Sequence, residues 1–149
     1  MRYQAFFGAI AMLTVGTTSV VAEISTREAA QAARMVSSWR SAHGLPPVKT
    51  DNNLNRVAQI QTSAMMAQGV MSHDAGGDFR TRMRSNGVRG TAAENLAAGT
   101  ANIDQVMTIW QNSSGHNANM LNPEISRVGL AKGVTPTGYV YWTMVFAGR

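Results

Sequence analysis

Cysteine is absent from this 149-residue chain. No disulfide can staple the fold, no thiolate can serve as nucleophile or zinc ligand, and no lipid can be attached through an acyl-cysteine anchor. Packing alone must hold the domain. Proline occurs only four times, and there is no proline- or serine-rich linker, no low-complexity tract and no internal repeat to divide the chain. The length suits one domain, by a prior of about 100 to 200 residues each. Histidine is scarce, with three in all, so imidazole chemistry is confined to His43, His73 and His116. Acidic residues are few as well: eight against 13 Lys and Arg give a net charge of +5. That excess favours an anionic partner, an envelope polymer or a lipid headgroup. Nucleic acid is not expected, because no nucleic-acid-binding motif is present. A single long apolar run, Ala5 to Val21, is the one stretch that could enter a membrane.

That run follows a positive start at Arg2 and ends in Val20-Val21-Ala22, which places small or moderate residues where signal peptidase cleaves. Read as a permanent anchor it is barely long enough, since a spanning helix needs about 20 mostly apolar residues, and it contains Gly8, Gly16, Thr14, Thr17, Thr18 and Ser19. Residues 1–22 are therefore expected to be a signal peptide cleaved after Ala22. Residues 23–149 would be the mature domain, secreted or periplasmic. A domain of this size buries roughly two-thirds of its unfolded surface and can hold a core without staples.

In the mature part, Ser25-x-x-Glu28 reads as a capping box. Ala29, Ala32, Ala33, Val36 and Trp39 recur at helical spacing until His43-Gly44 and Leu45-Pro46-Pro47 end the helix. His43 suits a helix C-terminus, where an imidazole meets exposed carbonyls. Asp51-Asn52-Asn53 caps a second helix, Leu54 to Gln68, with Leu54, Val57, Ala58, Gln61, Ala64 and Met65 inward and Gly69 as its stop. Met65-Met66 reads as core filler. Asp78 caps a short helix from Phe79 to about Ser85. Arg80, Arg82, Arg84 and Arg89 cluster there, either as a solvated face or as an anion site near a cleft mouth. Thr91 to Ala97 reads as extended. Thr100 or Asn102 caps a helix through Ile103, Val106, Met107 and Trp110. Trp110 reads as core. The polar cluster Asn112-Ser113-Ser114-Gly115 reads as a turn that delivers His116, before Met120-Leu121 return to the core. Asn119 suits a bond to loop backbone.

Val128, Leu130 and Val134 alternate with Arg127, Gly129 and Ala131 as in a strand, and Thr135-Pro136-Thr137-Gly138 makes a turn. In the final run, Tyr139 to Phe146, Val140, Trp142, Met144 and Phe146 point one way and Tyr141, Thr143 and Val145 the other. Both faces are largely apolar, so both must be covered, and helices are the only elements left to do it. The expected fold class is α+β: a three-layer α-β-α sandwich with a small, mainly antiparallel sheet between helices, its last two strands a hairpin.

Ser72-His73, the AENLA stretch from Ala93 to Ala97, and W-x-x-S-x-x-H-x-x-N-M-L from Trp110 resemble the CAP superfamily, which includes cysteine-rich secretory proteins, venom antigen 5 and plant pathogenesis-related proteins. The likeness covers about residues 29 to 147 and is nearest to the bacterial branch. It implies the same sandwich fold. It also implies a cleft of two histidines and two acids, which carries over here as His73, Glu94 and His116. The second acid would stand three residues after Trp110, where this chain has Ser113, as in many bacterial relatives. The family's N-x-x-R pair late in the first helix reads Ser37-x-x-Arg40 here, so that contact is altered.

Two imidazoles with an open position suit zinc or another divalent cation, held weakly because tight zinc sites use three or four protein ligands. Glu94 would orient a histidine N–H or a metal-bound water, with a place as third ligand as the alternative. Alternatively, the three residues bond one another, staple the loops to the sheet and bind nothing. No motif places Ser113 or Ser114 at a nucleophile elbow. The expected function is a monomeric, non-enzymatic binding module. The resemblance implies a lipid-like ligand, and the basic balance an anionic envelope component. The alternative is a metal-dependent hydrolase or peptidase with Glu94 as general base toward a metal held by His73 and His116.

Overall fold

The computed structural model describes residues 26–149. The apolar N-terminal run, the cleavage point after Ala22 and the Ser25 cap lie outside them. Helix α1 (Thr26–Ala42) is followed by a two-residue strand β1 (Lys49–Thr50), helix α2 (Asn52–Gln68), helix α3 (Phe79–Ser85) and strand β2 (Ala92–Ala98). Helices α4 (Ile103–Asn112) and α5 (Ser114–Met120) precede the hairpin of β3 (Arg127–Val134) and β4 (Val140–Ala147). Caps set these boundaries as the sequence predicts. Asp51 accepts from the N–H groups of Asn53 and Leu54, Gly69 ends α2 in a left-handed conformation, and Asp78 and Asn102 open α3 and α4.

The sheet runs β1-β3-β4-β2. Only β1 is parallel to its neighbour, and it pairs with β3 through Lys49–Arg127 and Thr50–Val128. It was not legible in the sequence, because two exposed polar residues carry no alternation. Central β4 is buried along its whole length. On one face Val140, Trp142, Met144 and Phe146 join Ala29, Ala32, Ala33 and Val36 of α1, Ile103, Val106, Met107 and Trp110 of α4, and Met120 of α5. On the other, Val145 and Ala147 meet Leu54, Val57 and Ala58 of α2 and Met83 of α3, while Tyr141 packs with Met65 and Leu96. This is the three-layer sandwich that the two-sided apolar strand requires. Gly129 sets the spacing of one layer: a Cβ there would lie 2.3 Å from the Leu54 carbonyl carbon, so α2 sits directly on β3.

Several local expectations need correction. The last strand starts at Val140, and Tyr139 stands half exposed in the turn beside Tyr141. On α2 the buried hydroxyl of Thr62, bonded to Thr143, takes the inward place expected for half-buried Ala64. Met66 is only partly buried. Arg40 is fully buried on α1, where its guanidinium donates to the carbonyls of Pro46, Met120, Asn122 and Ile125. Burial lowers its pKa, and the four carbonyls tie the end of α1 to the segment entering β3. Ser37 bonds both backbone groups of Val48.

Candidate functional site

β2 is an edge strand, and its alternation divides the site between two faces. Asn95 lies opposite Met144 and faces α4 and α5, whereas Glu94 lies opposite Val145 and faces α2 and α3. Side chains cover the outer edge. Trp110 Nε1 donates to the Leu96 carbonyl at 2.9 Å, and Asn119 Nδ2 to the Glu94 carbonyl at 3.4 Å. An open edge would invite a further strand; these bonds close it and pin α4 and α5 against it.

Glu94 is the centre. Its side chain is 3% exposed, and both carboxylate oxygens are engaged: Oε1 with His73 Nδ1 at 2.9 Å and Oε2 with Arg82 Nη2 at 2.7 Å. Arg82 also donates through Nη1 to the carbonyls of His73, at 3.0 Å, and of Gly77. Gln61, buried on α2, holds the same loop by donating to the Ser72 carbonyl and accepting from the Gly76 N–H. Gly76 has no room for a Cβ, which would lie 2.8 Å from Gln61 Oε1. The loop that bears His73 is thus fixed at four backbone groups while its imidazole stays 58% exposed. A carboxylate paired with arginine can only accept, so the proton on this contact belongs to His73 Nδ1. In the neutral imidazole the Nε2 lone pair is then free.

His116 approaches from the other side of β2. It does not sit in a turn after α4, as expected, but on α5, a separate short helix that Ser113 joins to α4. Asn112 to Gly115 are too few for a loop once Asn117 N–H bonds back to the Ser113 carbonyl. The three expected site residues therefore stand on a loop, a strand and a helix, with Glu94 on the extended segment the sequence predicts. Asn95 Nδ2 donates to the His116 carbonyl, and Asn119 Nδ2 to Asn95 Oδ1, which fixes α5 to the strand. Asn119 thus bonds strand, not loop. Trp39 Nε1 adds a bond to Asn117 Oδ1 at 2.8 Å. Half-buried Ser113 closes α4 through its N–H but does not cap α5 with its side chain. His43 lies apart, at the end of α1, with its ring against Trp39 and Nδ1 on the Trp39 carbonyl.

Among the described residues, the two buried side-chain polar atoms without a partner are His116 Nδ1 and Arg82 Nε. Both belong to this site. Buried polar atoms are normally satisfied, so each of these two is an exception, one on the α3 side of β2 and one on the α5 side. Burial, and secondarily the charge of His73, pushes the His116 pKa below its ordinary value of 6.5. The folded protein therefore resists protonating His116, whereas the unfolded chain takes the proton near 6.5. The stability this confers is complete above that value and declines as pH falls through it toward the lower folded pKa. Melting temperature should drop between about pH 7 and pH 5, and a His116→Asn variant should show a shallower drop over that interval. Parallel profiles for the two proteins would contradict the burial of a neutral His116.

Sequence reasoning did not assign Arg82, Gln61 or Asn95 to the site, although it placed Gln61 on the inward face of α2, where it is buried. The chain matches the model of the CAP family, the cysteine-rich secretory protein family, over residues 33–146. The chain belongs to the CAP family. It is 31% identical over 145 residues to protein YkwD of Bacillus subtilis strain 168, a match covering 95% of this chain and 54% of that one. The chain thus spans about half the length of that curated relative. An extracellular protein containing an SCP domain from Bacillus anthracis superposes with a TM-score of 0.73 and 27% identity, over 83% of this chain and 41% of the other. An outer surface protein of Borrelia burgdorferi gives 0.73 at 20% identity, over 87% and 98%, and shows the shared fold. In the CAP frame this member has an Arg82–Glu94–His73 chain, buried at Arg82 and Glu94 and exposed at His73.

Proposed function

We propose that this CAP-domain protein is an exported, non-enzymatic binding module whose cleft over β2 presents His73 and His116 to a weakly held divalent ion such as zinc. Its ligand would be a lipid-like molecule or an anionic envelope component, bound by the monomer. Export is supported by the apolar leader-like run and by the descriptions of the Bacillus anthracis and Borrelia burgdorferi proteins as extracellular and outer surface. The observation that carries the non-enzymatic reading is the state of Glu94: buried, with both oxygens occupied. A general base must reach the proton it removes, and this carboxylate is instead placed to orient an imidazole, as second partners of metal-bound histidines do.

The side chains fit an ion held by few ligands. His73 Nε2 carries a lone pair, and the orphaned His116 nitrogen lacks a partner. Two imidazoles support only a low affinity, because tight zinc sites use three or four protein ligands. Calorimetric titration with zinc should give one weak site near neutral pH that fades toward about pH 5, because proton and metal compete for the same lone pairs. His73→Ala and His116→Ala should each remove it, and Glu94→Gln should weaken it about 10- to 100-fold. Equal zinc uptake by wild type and both histidine variants would end the metal reading and leave the network a structural staple. Hydrolytic turnover lost specifically in Glu94→Gln would favour the hydrolase.

A further inference from the structure

A second concave site lies on the same molecule, lined by residues other than His73, Glu94 and His116. Between α3 and the start of β2 runs an open groove of about 710 Å3, lined by Phe79, Met83, Val88 and the arginines Arg80, Arg84 and Arg89. All three arginines are exposed, and none forms an ion pair among the described residues, where the paired cations are His73, Arg82, Arg127 and Lys132. Two acids stand nearby, and Asp78 feels the charge of Arg84 without forming an ion pair with it. Asp78 accepts from the Thr81 N–H and hydroxyl, and Glu124 from the Thr91 hydroxyl. Between Phe79 and Ala92 there is no acidic residue at all. Exposed guanidiniums that form no ion pair and line a concavity of ligand size call for an anion, and arginine forks favour phosphate oxygens.

The floor decides which anion. Met83 and Val88 are already 4% and 1% exposed, so little apolar area remains for an acyl chain to bury. Phe79 is the one aromatic residue in the groove lining, and the Arg82 guanidinium lies 5.5 Å from its ring centroid, so there is no succession of rings of the kind that stacks the bases of single-stranded nucleic acid. Affinity here must come from charge spread along the groove. We propose that the groove of Arg80, Arg84 and Arg89 docks an extended phosphodiester polyanion with a flexible, non-aromatic backbone, of the poly(glycerol phosphate) type. Each guanidinium takes one phosphate, and the groove, open to solvent, lets the polymer continue beyond it.

The test uses the full folded chain and poly(glycerol phosphate), with retention or calorimetry as readout. Three neutralised phosphates should give a slope of about −2 in log affinity against log salt, so a fourfold rise in salt weakens binding roughly twentyfold. The triple variant Arg80→Gln/Arg84→Gln/Arg89→Gln should lose binding at moderate salt. Arg34→Gln/Lys49→Gln/Arg56→Gln, which removes the same charge from other surfaces, should keep it. Arg82 must stay in both, since it holds Glu94 from inside. Should the groove triple fail to fold, Arg89→Gln alone should weaken binding several-fold. Equal losses in the two triples would reduce the effect to bulk charge and overturn the site. So would undiminished binding by the groove variants, or a preference for anionic vesicles or single-stranded DNA over the polymer. Zinc uptake should be unaffected by the groove triple, which separates this proposal from the fate of the His cleft.

Discussion

Replacing Arg82 with Met should be among the most damaging single changes in the protein. Arg82 is 5% exposed, and its guanidinium bonds Glu94 Oε2 and the carbonyls of His73 and Gly77. Methionine fills similar volume but supplies no donor. It would leave a carboxylate that is 3% exposed without its cation and release two carbonyls of the His73 loop. Breaking a buried pair from one side costs about 3 to 5 kcal/mol, because the remaining charge is uncompensated. The double variant Arg82→Met/Glu94→Gln should recover part of that loss, since the stranded charge is gone, and the non-additivity measures the coupling. Urea unfolding of the four proteins in the cycle decides it. An Arg82→Met protein as stable as wild type would show that Arg82 sits at the surface with its three neighbouring arginines.

Trp142→Ala should cost a similar amount for a different reason. Trp142 is fully buried at the centre of β4, with Nε1 on the Thr100 carbonyl at 2.7 Å and Lys132 Nζ 4.9 Å from its ring centroid. Emptying a core aromatic site typically costs about 3 to 5 kcal/mol. In a domain without a disulfide this could consume most of the stability, which is about 5 to 15 kcal/mol for such proteins. A fall of about 10 °C or more in melting temperature is expected. An unchanged melting curve would mean that this face of β4 is not covered by α1 and α4.

The sandwich could be read from the sequence because one strand declared it. Alternation in Tyr139 to Phe146 gives two apolar faces, and the caps at Asp51, Asp78 and Asn102 gave the helix starts. Strand β1 could not be read, since Lys49-Thr50 acquires its meaning only from β3 beside it. The candidate site was half legible. His73, Glu94 and His116 were named from their setting and from the family pattern, but the residue that governs Glu94 was assigned to a charged cluster. Its helical phase held the clue. At 100° per residue Arg80 and Arg84 share one side of α3, while Arg82 turns to the opposite side, with Phe79 three positions earlier. Buried arginine is rare enough that composition hides it. The α5 helix was missed because Asn, Ser and Gly are turn formers, and here tertiary bonds from Asn95, Asn119 and Trp39 outweigh that preference.

Nitrogen-15 NMR of the imidazole side chains tests the central claim most directly, namely that Glu94 orients His73 so that a free lone pair faces a partner. At neutral pH, neutral His73 should appear as the Nδ1–H tautomer with an unprotonated Nε2. Added zinc should shift that nitrogen and the His116 resonances together, and Glu94→Gln should blur the tautomer preference. A neutral His73 carrying its proton on Nε2, with His116 indifferent to zinc, would contradict the account.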